Sequence, residues 1–281
     1  MLSYRHAFHA GNHADVLKHF VLLQLLEYYC RKDKPFWYVD THAGAGVYSL
    51  TEGYATKNAE FVAGIGRLWN AADLPLPLQA YVAEISALNE NGKLEFYPGS
   101  PWLAWHAVRE QDKLRLFELH PSDHEILAAN FADVSRQVKT DKADGFDGLK
   151  ALLPPATRRA VVLIDPPYED KGDYARVVAS LRDALKRFAT GCYAIWYPLL
   201  QRNESRQLVE QLRGVAGNNW LHASLTVHTP GADGFGMHGS GMFIVNPPYT
   251  LPQVLQQVMP YLRDALQIDS GASFELSHQI D

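Results

Sequence analysis

The residues that most resemble reaction machinery are Asp165-Pro166-Pro167-Tyr168, which close the apolar run Val161-Val162-Leu163-Ile164. An aspartate followed by two prolines, whose φ angles are fixed, presents a carboxylate and the Pro166 carbonyl as two pre-aimed acceptors. That pair suits an exocyclic aromatic amine such as that of adenine. Its lone pair is delocalised into the ring, so the nitrogen is a poor nucleophile. If Asp165 accepts one N–H and Pro166 the other, the nitrogen pyramidalises and its lone pair points outward. Tyr168 offers a ring to stack on the base. Four residues can match by chance, and the buried strand ahead of them is what makes the match specific.

A second loop, Asn246-Pro247-Pro248-Tyr249, also follows an apolar run and would serve an amide substrate equally well. Chain order favours Asp165, because a glycine loop and two acidic strand ends precede it. Asn246 is read as following an edge strand, with a proline-initiated helix behind it.

The glycine loop is Asp40-Thr41-His42-Ala43-Gly44-Ala45-Gly46. Glycines at a strand end permit a sharp turn and close approach of a ligand. Ser49 stands where a dinucleotide fold would place a third glycine, which points to a ligand without a pyrophosphate. A simple tight turn is about as good a reading. Glu118 ends the next strand, where a carboxylate can accept both hydroxyls of a ribose; a solvated surface glutamate is the bland alternative. The interval from Asp40 to Glu118 is too long for one crossover. Without residues 50–98 it approaches the roughly 20 residues expected of a nucleotide-binding unit. Asp144-Gly145 could accept from an adenine amine or be an ordinary turn.

The N-terminal run His9 to His19 places Asn12, Asp15, Lys18 and His19 at a helix start, with Asp15 and His19 on one face. Its histidines suggest a metal, yet no carboxylate at matching spacing completes a four-ligand zinc site, so no metal is expected. The choice lies between a substrate and cofactor rim and plain helix capping.

The elements that must position these residues alternate. Helical periodicity covers about 14–29. Strands are expected at 36–40, 114–118, weakly near Val138, and at 160–164, 192–197, 221–228 and 242–245. Helices are expected near 121–132, 145–152, 173–188, 203–213 and 252–266. This alternation means an α/β, doubly wound, mostly parallel sheet. Residues 50–98 show two helix-like stretches, about 58–71 and 78–90, and read as a helical insertion within a single domain spanning 1–281. The glycine-rich run 231–241 reads as a loop.

The chain has 281 residues, 47% hydrophobic and 20% charged, an ordinary globular mix. Two cysteines, Cys30 and Cys192, form no CxxC pair or disulfide framework, which fits a reducing cytoplasm. The apolar stretch 20–26 is too short for a membrane span and lacks a cleavage site. The net charge of −5 excludes a chain that coats nucleic acid with its whole surface. Any such contact must be a local patch, with Arg5, His6, Lys18, Arg158 and Arg159 as candidates.

Taken together, Tyr4-Arg5-His6, the His9 to His19 run, Asp40 to Gly46, Tyr97-Pro98-Gly99-Ser100-Pro101, Glu118-Leu119-His120-Pro121 and Asp165 to Tyr168 resemble the 23S ribosomal RNA adenine-N6 methyltransferase J family. The resemblance covers nearly the whole chain and is weakest after about residue 200. It implies a Rossmann-like class I methyltransferase fold with a seven-stranded sheet. It also implies S-adenosylmethionine as cofactor and 23S rRNA as substrate, with the enzyme acting as a monomer. His19, His42, Ser100, Glu118, Asp144, Gly145 and Asp165 match the family's cofactor positions, Asp165 its catalytic position and Tyr4 an RNA-contacting one. Asp40, Gly44 and Gly46 join the cofactor set, and Lys18, Pro166 and Tyr168 the substrate set, on the reading of the loops. Rivals are a DNA adenine or protein glutamine methyltransferase of the same fold, and a non-catalytic RNA-binding module.

Overall fold

A computed structural model describes residues 8–52, 58–231, 234 and 236–280. Its strands are β1 (Trp37–Asp40), β2 (Val47–Ser49), β3 (Phe96–Pro98), β4 (Lys113–Phe117), β5 (Val138–Asp141), β6 (Ala160–Ile164), β7 (Cys192–Leu199), β8 (Trp220–Thr226), β9 (Gly239–Val245) and β10 (Ser273–Gln279). The helices are α1 (His13–Cys30), the single turn α2 (Gly66–Trp69), α3 (Leu76–Ala87), α4 (Ser100–Ala107), α5 (Pro121–Asn130), α6 (Gly145–Leu152), α7 (Gly172–Arg187), α8 (Asn203–Ala216) and α9 (Leu251–Leu266).

The main sheet runs β10-β8-β9-β7-β6-β1-β4-β5. It has eight strands among the described residues, not the seven expected. The extra one, β10, pairs antiparallel with β8 at the edge. The pairs β1–β4, β1–β6, β4–β5 and β6–β7 are parallel, while β9 runs antiparallel to both β7 and β8. Central strands are apolar on both faces, as a helix-covered parallel sheet requires. In β6, Val161 and Leu163 enter the core shared with α1 and α9, and Ala160, Val162 and Ile164 enter the core shared with α7 and α8.

Chain order reverses between β1 and β6, so the crevice beyond their carboxyl ends is where such a sheet takes a ligand. Residues 47–98 are bounded by the antiparallel pair β2–β3. The helix expected over 58–71 is instead a 3-10 turn at Glu60–Val62 followed by α2. Gly64 explains the break: a Cβ there would lie 2.1 Å from the Gly11 carbonyl, so this segment is pressed onto the start of α1.

Candidate active site

Four loops converge on the crevice, each leaving the carboxyl end of a parallel strand: 41–46 after β1, 118–120 after β4, 142–144 after β5 and 165–171 after β6. They are laced by backbone bonds, from Thr41 N–H to the Leu163 carbonyl and from Ala43 N–H to the Phe117 carbonyl. They enclose a cavity of about 360 Å³ lined by Lys18, His19, His42, Gly44, Ser100, Glu118, Asp144, Gly145, Asp165 and Pro166, among others. These sequence candidates therefore meet in one place.

Asp165 lies against Lys18, whose Nζ is 2.6 Å from its Oδ2 and 2.9 Å from Asp15 Oδ1. Lys18 is 4% exposed. Burial opposes its charge, but the attraction of Asp15 and Asp165 outweighs it and holds the ammonium well above the ordinary lysine value. Lys18 was expected to touch RNA phosphate. It is instead the counter-ion of Asp165, because α1 points its second turn into the crevice. Asn12 caps that helix by accepting from the Ala14 and Asp15 amides, and Asp15 accepts the Gly11 amide through Oδ2. His19 Nδ1 is 2.8 Å from the Tyr97 hydroxyl.

Glu118 accepts the Gly44 amide at 2.8 Å and the His120 amide at 2.6 Å. Burial raises its pKa despite these bonds. Gly44 has φ +61°, and a Cβ there would meet the Tyr48 hydroxyl at 2.2 Å. Asp144 caps α6 at the Phe146 amide and bonds Arg176 at 2.6 Å. Burial opposes its charge, but these bonds prevail and lower its pKa. At Gly145 a Cβ would stand 1.8 Å from the Thr41 carbonyl, so only glycine lets α6 approach the β1 loop. His42 is held to about 4 by burial and is neutral at ordinary pH. Thr41 Oγ1 donates to Leu163, so His42 Nδ1 carries the hydrogen in its bond to Thr41 and Nε2 is left as an acceptor.

Four expectations change. Asp40 is fully buried and accepts from Tyr38, Ser100 and the His42 amide, so it pins the loop and does not line the cavity. Gly46 turns away from the cavity, toward Leu127 and Phe131 of the α5 region. Tyr168 is 2% exposed, donates to the Trp196 carbonyl at 2.8 Å and packs on Tyr174, so its ring offers no face to a base. Arg158 and Arg159 precede β6, at the sheet end opposite the crevice, where Arg159 bonds the Tyr29 carbonyl. Tyr4, Arg5 and His6 lie outside the described residues.

The second proline loop is resolved by topology. β9 lies inside the sheet, between β7 and β8, not at its edge. It runs antiparallel to β7, so Val245 pairs with Tyr193 near the start of β7. Asn246 is thus at the end of the sheet remote from Asp165. Its amide donates to the carbonyls of Ala189 and Gly191, which fastens the α7–β7 turn.

Sequence reasoning missed Arg176, whose partner Asp144 is 32 positions away, and the acidity of the wall. Asp165, Glu118 and Asp144 are joined by Asp123, Glu169, Asp170 and Asp173, against Lys18 and Arg176. Such a lining favours a cationic ligand and repels phosphate. The glycine cradle at Gly44 and Gly145 fits close contact with a flat or slender group. Among the described residues, no group of three or more His, Cys, Asp or Glu is placed to hold a metal ion, and no helix is long and apolar enough to cross a membrane.

Residues 33–276 match the family model described as "Ribosomal RNA large subunit methyltransferase D, RlmJ". The chain belongs to this methyltransferase family. It is 48% identical to ribosomal RNA large subunit methyltransferase J of Escherichia coli, over 95% of this chain and 94% of that one. It is also 48% identical to the protein of the same name from Haemophilus influenzae, over 98% and 97%. The crystal structure of protein LPL1258 from Legionella pneumophila, 34% identical, superposes with a TM-score of 0.89 over 96% of this chain and 98% of that one.

Proposed function

We propose that this protein methylates the N6 amino group of a specific adenine in 23S rRNA, with S-adenosylmethionine as donor, acting as a monomer in the cytoplasm. The observation that carries the reading is the placement of Asp165-Pro166, braced by the Lys18 ammonium, on the wall of a glycine-cradled acidic cavity at the switch point. The whole chain works as one domain, with residues 50–98 as an insertion.

S-adenosylmethionine, when bound, supplies an already activated methyl group on a cationic sulfur. His19, His42, Ser100, Glu118, Asp144, Gly145 and Asp165 would hold it, Glu118 accepting ribose hydroxyls and the acidic wall matching its charge. On the substrate side, the target base leaves its stack to enter the cavity. Asp165 and the Pro166 carbonyl accept its two N–H bonds, which orients the nitrogen lone pair. Asp165 then stabilises positive charge as it develops on that nitrogen. Lys18 fixes the carboxylate, so little reorganisation accompanies the step. Tyr4 is assigned to the RNA side.

The test offers labelled S-adenosylmethionine with 23S rRNA lacking the modification, with duplex DNA and with protein extract. Label recovered as N6-methyladenine from the rRNA supports the reading. Label only on DNA or on a glutamine amide contradicts it.

A further inference from the structure

A second cavity, of about 590 Å³, lies at the other half of the sheet, walled by β7, β8, β10 and α8. It opens at the same end of the sheet as Asp165, since β7 closes there at Leu199, β8 at Thr226, and His238 immediately precedes β9. The two cavities are neighbours through the 165–171 loop. Tyr168 of that loop donates to the Trp196 carbonyl, and the next residue, Tyr197, lines the second cavity. Lys171 of the same loop pairs with Glu204 at 3.6 Å, two residues before Arg206 on the cavity wall.

Its lining is polar and aromatic at once. His222, 3% exposed, bonds the Tyr197 hydroxyl at 2.7 Å through Nε2, while its Nδ1 has no partner. His238 Nδ1 is buried without a partner as well. Burial holds His222 to about 4, so the ring is a neutral hydrogen-bonding group, not a charge. Arg213 is engaged with Glu210 and Ser277. No side-chain partner of Arg206 occurs among the described residues, which leaves one unpaired guanidinium in a lining that also holds Glu275; the Phe274 ring turns to the opposite face of the sheet, beneath Arg263 of α9. Orphaned ring nitrogens are costly unless a ligand satisfies them. Aromatic rings with a nearby arginine are the usual grip on an unpaired nucleotide.

The methyl-transfer cavity adds a reason for a separate grip. Its acidic wall repels phosphate, so the target base enters while the backbone must be held elsewhere. We propose that the second cavity is a subsite for an unpaired nucleotide of the same RNA strand, its phosphate on Arg206 and its base between His222 and His238. This rests on the RNA reading above.

The test uses the full chain with two variants. Arg206→Glu reverses the rim charge, and Thr226→Trp fills the cavity from the end of β8 without changing charge. Methyl transfer is measured against the concentration of unmodified 23S rRNA, and S-adenosylmethionine affinity is measured by calorimetry without RNA. Each variant is expected to raise KM for RNA about tenfold with the cofactor Kd unchanged. In the wild type, 5′-AMP shifts the His222 and His238 ring resonances, and in Thr226→Trp it does not. If only Arg206→Glu weakens RNA and 5′-AMP moves neither ring, Arg206 is a surface contact and the subsite is overturned. If Thr226→Trp does not fold, the 5′-AMP titration of wild type decides alone. Wild type that transfers no methyl to RNA sinks the RNA reading instead, and is recognised before either variant is compared.

Discussion

Lys18 sits between two carboxylates, Asp15 and Asp165, with almost no access to water. Removing the ammonium leaves two buried negative charges facing each other. Lys18→Met should therefore cost about 3–5 kcal/mol of stability and cut methyl transfer about 100-fold. The salt dependence of RNA binding should stay unchanged, whereas a phosphate-contacting lysine would lower that slope by about one. Denaturant unfolding and salt titration of RNA binding check both parts. Because the folded pKa of Lys18 is raised, its protonation contributes stability that is present below the unfolded lysine value, while Asp15 and Asp165 stay ionised, and is lost as pH rises through the folded one. His42 behaves in the opposite sense. Its folded value is held to about 4 against 6.5 unfolded. As pH falls between these values the unfolded chain takes up a proton that the folded imidazole refuses, so stability drops with acid. Wild type should lose more stability than His42→Gln on going from about pH 7 to about pH 5, read as the shift in denaturation midpoint. Asp165, Glu118 and Gly145 were legible from the sequence because each directly follows a strand or opens a helix. Lys18 was misread because its partner lies 147 positions away and an isolated lysine looks like a surface cation.

At the scale of elements, the periodic segments were the legible ones. Strand β6 and helix α6 fall on the expected residues 160–164 and 145–152. Strand β10 escaped notice because Ser273 to Gln279 is a half-exposed edge strand with no fully buried residue. The position of β9 was also unreadable, since adjacency of antiparallel strands is set by packing and leaves no local pattern. The same packing argument makes Gly145 a sensitive joint. A methyl group at that position collides with backbone, which cannot swing aside. Gly145→Ala should cost about 2–3 kcal/mol, and by moving α6 off the β1 loop it should weaken cofactor binding at least about tenfold. Calorimetry alongside thermal unfolding would separate the two effects, and unchanged binding would detach α6 from the site.

Across the whole molecule, a net charge of −5 sits awkwardly with an RNA substrate until its distribution is considered. Acidic residues concentrate around the cavity at the switch point, which is where the proposed cationic donor would bind and a neutral base would arrive. The donor carries one more positive charge than its demethylated product. S-adenosylmethionine should thus bind more tightly than S-adenosylhomocysteine, and the preference should shrink as salt rises from about 0.1 M to about 1 M and the screening length falls to about 3 Å. Equal affinities at low salt would remove the electrostatic role given to the wall. The central claim is that Asp165, not Asn246, presents the reacting amine. Single-turnover methyl transfer to unmodified 23S rRNA by Asp165→Ala and by Asn246→Ala tests it most directly. The account expects Asp165→Ala to lose transfer while still folding, and Asn246→Ala to transfer at the wild-type rate. Transfer that survives in Asp165→Ala and disappears in a folded Asn246→Ala would contradict it.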